Sequence, residues 1–313
     1  MKVIGSVKED LNLEKRNSIS PETVKKFIDL NFSILLEKNY GTHIGIADDK
    51  YKSKGATFFN SAKEVLEKSD IILKVNLPSS NEIEIIKNKS LLIGQFDTLS
   101  NKEILNKLIK KNIKIFSLNL LPRITRAQSM DVLSSQANLA GYRAVIESVD
   151  EFSQAIPMMM TAAGTVSPAK ILVIGAGVAG LQAIATAKRL GAVVSATDVR
   201  AVAKEQVESL GGKFLSVEGA EDLETKEGYA KEASEEFKKK QSDLLKNSIT
   251  KSDIVICTAL IPGKKAPRIV SEDMVKSMKP GSIIYDLAVN HGGNSAFSEP
   301  DKINLVNGVK IMG

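Results

Sequence analysis

The chain has 313 residues, 43% hydrophobic and 26% charged, which gives room for two domains with real cores and excludes a disordered or fibrous protein. Its net charge is +6, but aromatic residues make up only 5% and the lysines are spread along the chain, which excludes the aromatic-interleaved basic stripe of a nucleic-acid binder. The single cysteine, Cys257, excludes an internal disulfide framework and fits a reducing, cytoplasmic compartment.

In chain order, the N-terminus lacks the apolar region of a signal peptide and reads as a first strand over residues 2–7. Short apolar runs then alternate with amphipathic segments, predicting further strands at 32–37, 71–75, 91–95 and 113–117. Ser20-Pro21-Glu22-Thr23 starts a helix with proline at its first position, and 61–68 and 101–111 are helical. A long helix over about 128–160 crosses between domains. That places the boundary near 135, with an N-terminal α/β domain at 1–135 and a second domain at 136–313. Strands follow at 171–174, 192–197, 213–217, 253–259 and 282–287, with Cys257 a small buried strand residue. The longest mostly apolar stretch, 171–187, is broken by three glycines and does not span a membrane. The charged segment 218–246 reads as solvated helix and loop, although Gly228-Tyr229 within it also fits the tip of a mobile flap.

The most specific motif lies in the second domain. Lys170-Ile-Leu-Val-Ile-Gly175-Ala-Gly177-Val178-Ala-Gly180 joins a buried strand to an alanine-rich helix, and Asp198 follows eighteen residues after the third glycine. Gly175 permits the tight turn, Gly177 lets a pyrophosphate approach the positive helix N-terminus, and Gly180 lets helix and strand pack closely. Asp198 is expected to accept hydrogen bonds from an adenosine ribose. Arg200 raises the alternative of a 2′-phosphate, but the carboxylate repels one, so NAD(H) is favoured and Arg200 is expected to stack near the adenine or face solvent.

A second stretch, residues 121–136, concentrates Arg123, Arg126, Gln128, Asp131 and Ser134 after an apolar strand, where doubly wound folds place ligands. Each residue has a structural reading as well. Thr125-x-x-Gln128 fits a capping box, Asp131 complements a helix dipole, and Arg123 with Asp131 makes a surface ion pair.

The runs 123–142, 158–165 and 175–186 resemble the alpha subunit of the proton-translocating NAD(P) transhydrogenases, within the alanine dehydrogenase/transhydrogenase family. Residues 225–232, Thr258-Ala-Leu-Ile-Pro-Gly263 and 278–288 extend the likeness over nearly the whole chain. The resemblance implies two Rossmann-like parallel-sheet domains joined by a long helix. The activity it implies is hydride transfer from bound NADH to NADP+ on an NADP-binding partner domain or beta subunit, coupled to proton translocation through a membrane domain on another chain. A homodimer, held at the inner membrane through its partners, is also implied.

Carried over by position, Arg123, Ile124, Thr125, Arg126, Gln128, Asp131 and Ser134 form the loop that orients the nicotinamide and its ribose. Gly175, Gly177 and Gly180 belong to the cofactor-binding turn, in which Val178 lies over the cofactor, and Asp198, Val199 and Arg200 meet its adenosine half. Leu260 joins the contact set, and Gly228-Tyr229 match a loop that closes on nucleotide.

Transfer between two nicotinamides moves no substrate proton, and neither motif holds a histidine; His43 and His291 are expected at a surface and in a loop. Alanine dehydrogenase is the rival within the family, and a non-catalytic NAD(H) sensor is a third class. Arg16 and Lys74 stand where alanine dehydrogenase has a substrate arginine and lysine, and ion pairs are expected for them because no catalytic histidine lies near Gly94-Gln95-Phe-Asp-Thr. The chain departs from the transhydrogenase pattern in two places. Asn290-His291 replaces an acid, and the chain stops at Gly313 where the family continues with helices that return to the first domain, so the expectation is either a fragment lacking that completion or a first domain completed differently.

Overall fold

A computed structural model describes residues 2–97, 101–122, 124–217, 235–260 and 264–313, apart from the side chains of 235–238. The chain divides into two units, Met1–Val132 and Leu133–Gly313.

Unit 1 carries strands β1 (Val3–Ser6), β2 (Ser33–Glu37), β3 (Ala56–Phe59), β4 (Ile71–Leu73), β5 (Leu91–Gly94) and β6 (Lys114–Ser117). They form one parallel sheet in the order β3-β2-β1-β4-β5-β6. The chain runs outward from β1 on one side and resumes at β4 on the other, so the direction reverses between β1 and β4. Helices α1 (Pro21–Asp29), α2 (Asp48–Lys52), α3 (Ala62–Lys68), α4 (Ser80–Ile85) and α5 (Lys102–Lys110) make the connections. Ser20 caps α1 by accepting from Thr23 N at 3.2 Å, and Ser79 with Glu82 forms a complete capping box on α4. Side chains alternate between two cores because a strand has period two: Ile34 and Leu36 enter one with Ile4 and Tyr40, while Leu35 packs against the other with Val65, Ile72 and Leu92.

Unit 2 opens with α6 (Val132–Glu151), which begins at the boundary. A hairpin of β7 (Met159–Thr161) and β8 (Gly164–Val166) precedes the main sheet. That sheet contains β9 (Lys170–Ile174), β10 (Val193–Thr197), β11 (Lys213–Phe214), β12 (Ile254–Cys257), β13 (Ile283–Asp286), β14 (Ile303–Val306) and β15 (Val309–Met312). Its order is β11-β10-β9-β12-β13-β15-β14, parallel except for β14. Helices α7 (Val178–Arg189), α8 (Val202–Ser209), α9 (Glu235–Ile249) and α10 (Glu272–Lys276) complete it. Ile171 and Val173 enter one core and Leu172 and Ile174 the other, so β9 is covered on both faces, which explains its unbroken apolar run. Both units are therefore the doubly wound α/β structures the pattern predicts.

Several expected bounds shift. Strands other than β9 are shorter than predicted by up to three residues, β9 gains Lys170, and β3, β7, β8, α2, α4, α8 and α10 are among the elements added to the predicted ones. The long helix ends at Glu151 rather than 160; Pro157 bars a helix that far, and Gly164, at φ 139°, turns the exposed hairpin that follows. The capping box expected at Thr125 is absent: Thr125–Met130 is a separate 3-10 turn with no side-chain cap, and α6 starts two residues later. No helix among the described residues is long and apolar enough to cross a membrane.

Candidate nucleotide site

The sheet of unit 2 reverses direction between β9 and β12, and a doubly wound sheet opens a crevice for ligands at the C-terminal ends of such strands. The glycine turn leaves β9 at that point. Gly175 takes φ 95°, and its N–H donates to Thr197 O at 2.9 Å. A Cβ at Gly180 would strike the carbonyl oxygen of Gly175, so glycine there allows α7 to begin directly against the turn. A Cβ at Gly177 would meet nothing within 4 Å. That residue borders open space, and it caps α7 without any side-chain bond. The first N–H groups of α7 are thus presented by a bare helix end beside open space, the arrangement a pyrophosphate requires.

Several features that the sequence does not single out fix the turn. Thr258, just beyond β12, donates its hydroxyl to Gly175 O at 2.8 Å, tying the two strands across the reversal. Asn294 is fully buried; its oxygen accepts from Ala259 N at 3.0 Å, and its amide donates to Ala259 O and Pro267 O, both at 2.9 Å. Leu260, next in the chain, is exposed. Only the spacing of Thr258 one residue beyond an apolar strand is visible in the sequence; a lone asparagine after two glycines carries no signal. Asp286 is buried at the end of β13 and accepts from Ala288 N at 3.0 Å, Ser295 N at 2.9 Å and Ser298 Oγ at 2.7 Å, which closes the same loop around Asn290-His291. Gly141 of α6 is another: a Cβ there would strike the carbonyl of Ala179, so α6 packs directly against the first turn of α7.

Asp198, at the end of β10, accepts from Ala176 N at 2.7 Å and so reaches the glycine turn. It also accepts from Arg200 N and Nε, both at 2.9 Å, and from Arg200 Nη2 at 2.9 Å. Burial pushes its carboxyl up, but the Arg200 bonds and charge, with the two backbone N–H groups, outweigh this and hold it below the usual range. Arg200 therefore does not face solvent, one of the two placements expected of it. A residue two positions on, in the bend after the strand, lets the guanidinium fork onto the carboxylate side-on.

Unit 2 thus brings together Gly175, Gly177, Val178, Gly180, Asp198, Val199, Arg200 and, through Thr258 and Ala259, Leu260. In unit 1, Ile124, Thr125, Arg126 and Gln128 are exposed on the 3-10 turn, and Asp131 is half-buried immediately before α6, while Ser134 lies in the first turn of α6 in unit 2. Arg123, Gly228 and Tyr229 lie outside the described residues.

The two other cations considered in unit 1 are paired as expected. Lys74 is buried, 2.7 Å from Glu82 and 3.4 Å from Glu9. Arg16 forks onto Glu14, at 2.9 Å from Nε and 2.7 Å from Nη2, and donates to Gln95 Oε1 at 3.1 Å. His43 donates from Nε2 to Lys15 O, and His291 is exposed in a 3-10 turn. Among the described residues no group of three His, Cys, Asp or Glu is arranged to hold a metal ion.

Comparison with known proteins places both units. The family model "Alanine dehydrogenase/PNT, N-terminal domain" matches residues 5–140, and "Alanine dehydrogenase/PNT, C-terminal domain" matches 144–313. The chain is 53% identical to the first of the NAD(P) transhydrogenase alpha-subunit polypeptides of Rhodospirillum rubrum, over 96% of this chain and 80% of that one. The crystal structure of a transhydrogenase from Sinorhizobium meliloti superposes with a TM-score of 0.89 at 47% identity, covering 100% of this chain and 86% of that one. An alanine dehydrogenase from Staphylococcus epidermidis is 30% identical over 96% of this chain and 75% of its own length.

Proposed function

Since the chain belongs to the alanine dehydrogenase/PNT family across both units, we propose that it is the NAD(H)-binding component of a proton-translocating transhydrogenase. It passes hydride from NADH to NADP+ held on a separate NADP-binding domain or beta subunit, and a membrane domain on another chain couples this to proton movement. The observation that carries the reading is the identity gap, far higher to the transhydrogenase subunit than to the alanine dehydrogenase.

The site fits the nucleotide. Open space at Gly177, the uncapped start of α7 and the acid at Asp198 supply the three contacts a dinucleotide needs, and a ribose diol at Asp198 favours NAD(H) over a 2′-phosphorylated cofactor. The bound nucleotide supplies the hydride. The protein supplies alignment and water exclusion, because no proton is taken from a substrate. Arg123, Gln128, Asp131 and Ser134 orient the nicotinamide and its ribose; Ile124, Thr125 and Arg126 shape that loop, and Gly228-Tyr229 close over the nucleotide.

The commitment of Arg16 to Glu14 and Gln95, and of Lys74 to Glu9 and Glu82, opposes alanine oxidation, since a substrate carboxylate would have to displace those partners. The exposed apolar hairpin, with Met158, Met159, Met160 and Val166 all open to solvent, supports a homodimer that covers it. The component works in the cytoplasm and meets the membrane only through its partners.

Calorimetry tests the cofactor choice directly. NADH should bind at least about tenfold more tightly than NADPH, since a good diol contact at the ribose carries on the order of 1.4 kcal/mol of discrimination. Equal affinities, or turnover of alanine with NAD+ by the pure protein, would overturn the assignment.

A further inference from the structure

The four hydrogen bonds on Asp198 fill its carboxylate, which offers about four lone-pair positions. Two of them come from backbone N–H groups, of Ala176 and Arg200, and fix the carboxylate against the glycine turn. The other two come from Nε and Nη2 of Arg200, a parallel pair of donors in a side-on fork. A ribose presents a similar pair of donors in its vicinal 2′- and 3′-hydroxyls. The pair is well enclosed, with 16% of the Arg200 side chain and 7% of the Asp198 side chain exposed.

We propose that Arg200 is a specificity-determining plug: its guanidinium occupies the acceptor positions of Asp198 that a ribose diol takes over, and it must swing away for the nucleotide to bind. The inference rests on the NAD(H) reading of this site. A free diol restores the two hydrogen bonds that opening breaks, so Asp198 is fully bonded in both states; the guanidinium's charge is not restored, and its loss sets the opening cost. A ribose lacking one hydroxyl restores only one of the two bonds and leaves a buried carboxylate short of a partner. The plug thereby screens ligands by the diol itself, and it keeps the acid charged and oriented before any ligand arrives.

The test follows the Arg200 Nε–H resonance, assigned by its loss in Arg200→Ala, in an NMR titration of the full chain. Saturating NADH or ADP-ribose should move that resonance, whereas reduced nicotinamide mononucleotide, which has no adenosine half, should leave it in place. Arg200→Ala keeps both backbone bonds to Asp198 and removes the competitor, so it should bind ADP-ribose roughly tenfold more tightly, as expected when a binding-competent state no longer has to be populated. NADH bound with the Nε–H resonance unmoved, or Arg200→Ala binding ADP-ribose no more tightly than the wild type, overturns the plug while leaving the nucleotide site standing. Failure of NADH to bind either protein removes the NAD(H) reading and the plug together.

Discussion

Buried charge in this chain is held by matched groups, and the consequences are measurable at single residues. Lys74 lies between Glu9 and Glu82 in the interior of unit 1. Lys74→Met should lower stability by about 3–5 kcal/mol, read as a fall in the denaturant midpoint, because two carboxylates are left without their cation. Burial pushes the Glu9 carboxyl up despite Lys74 and the Val75 N–H. Between the ordinary glutamate value of about 4.3 and that raised value the native state holds more protons than the unfolded one, so stability falls as pH rises through this window. Glu9→Gln should flatten that part of the pH–stability curve, and an unchanged slope would show that Glu9 titrates normally. Asp198 has the opposite sign: its folded carboxyl lies below the ordinary aspartate value of about 3.9, so its contribution is complete above that value and is lost as pH falls through the lower, folded one. In the loop proposed to orient the nicotinamide, Asp131→Asn or Arg123→Ala should slow hydride transfer by about a hundredfold while NADH affinity changes little, since misplacement of about an ångström costs that much in rate. Equal losses in binding and rate would contradict an orienting role.

The strand, turn and helix of β9 and α7 separate two kinds of glycine. Gly180→Ala drives a methyl into the Gly175 carbonyl, and Gly141→Ala drives one into the Ala179 carbonyl, so each should cost roughly 1–3 kcal/mol of stability. Gly177→Ala meets open space and should leave the melting temperature within error while weakening NADH binding, because its methyl points where the pyrophosphate approaches. If Gly177→Ala bound NADH as the wild type does, the pyrophosphate would lie elsewhere. This element is legible in the sequence because a buried parallel strand is continuously apolar and three glycines at fixed spacing have few other uses. The end of α6 is less legible: Pro157 rules out a helix running to 160, but nothing in Asp150-Glu-Phe-Ser-Gln154 marks the stop at Glu151. The fork of Arg200 onto Asp198 is hidden for another reason: residues two apart meet only when the backbone bends, and composition does not report a bend. Asn294 is equally hidden, because its three partners come from two other loop positions brought near only by the folded sheet.

At the scale of the whole molecule, the same sheet plan appears twice, yet the two units carry different chemistry. Unit 2 has the open glycine turn and its acid, whereas the cations of unit 1 that would serve an amino-acid substrate are tied to carboxylates. On the proposed reading, a component built this way holds one nucleotide and depends on another protein for the acceptor. The most direct measurement mixes the pure chain with the purified NADP-binding domain of a transhydrogenase and follows hydride transfer from NADH to an NADP+ analogue. Transfer should require both proteins and should vanish in Gly177→Ala at limiting NADH. Tight NADH binding with no transfer to the loaded partner would contradict the account and leave the chain a nucleotide sensor.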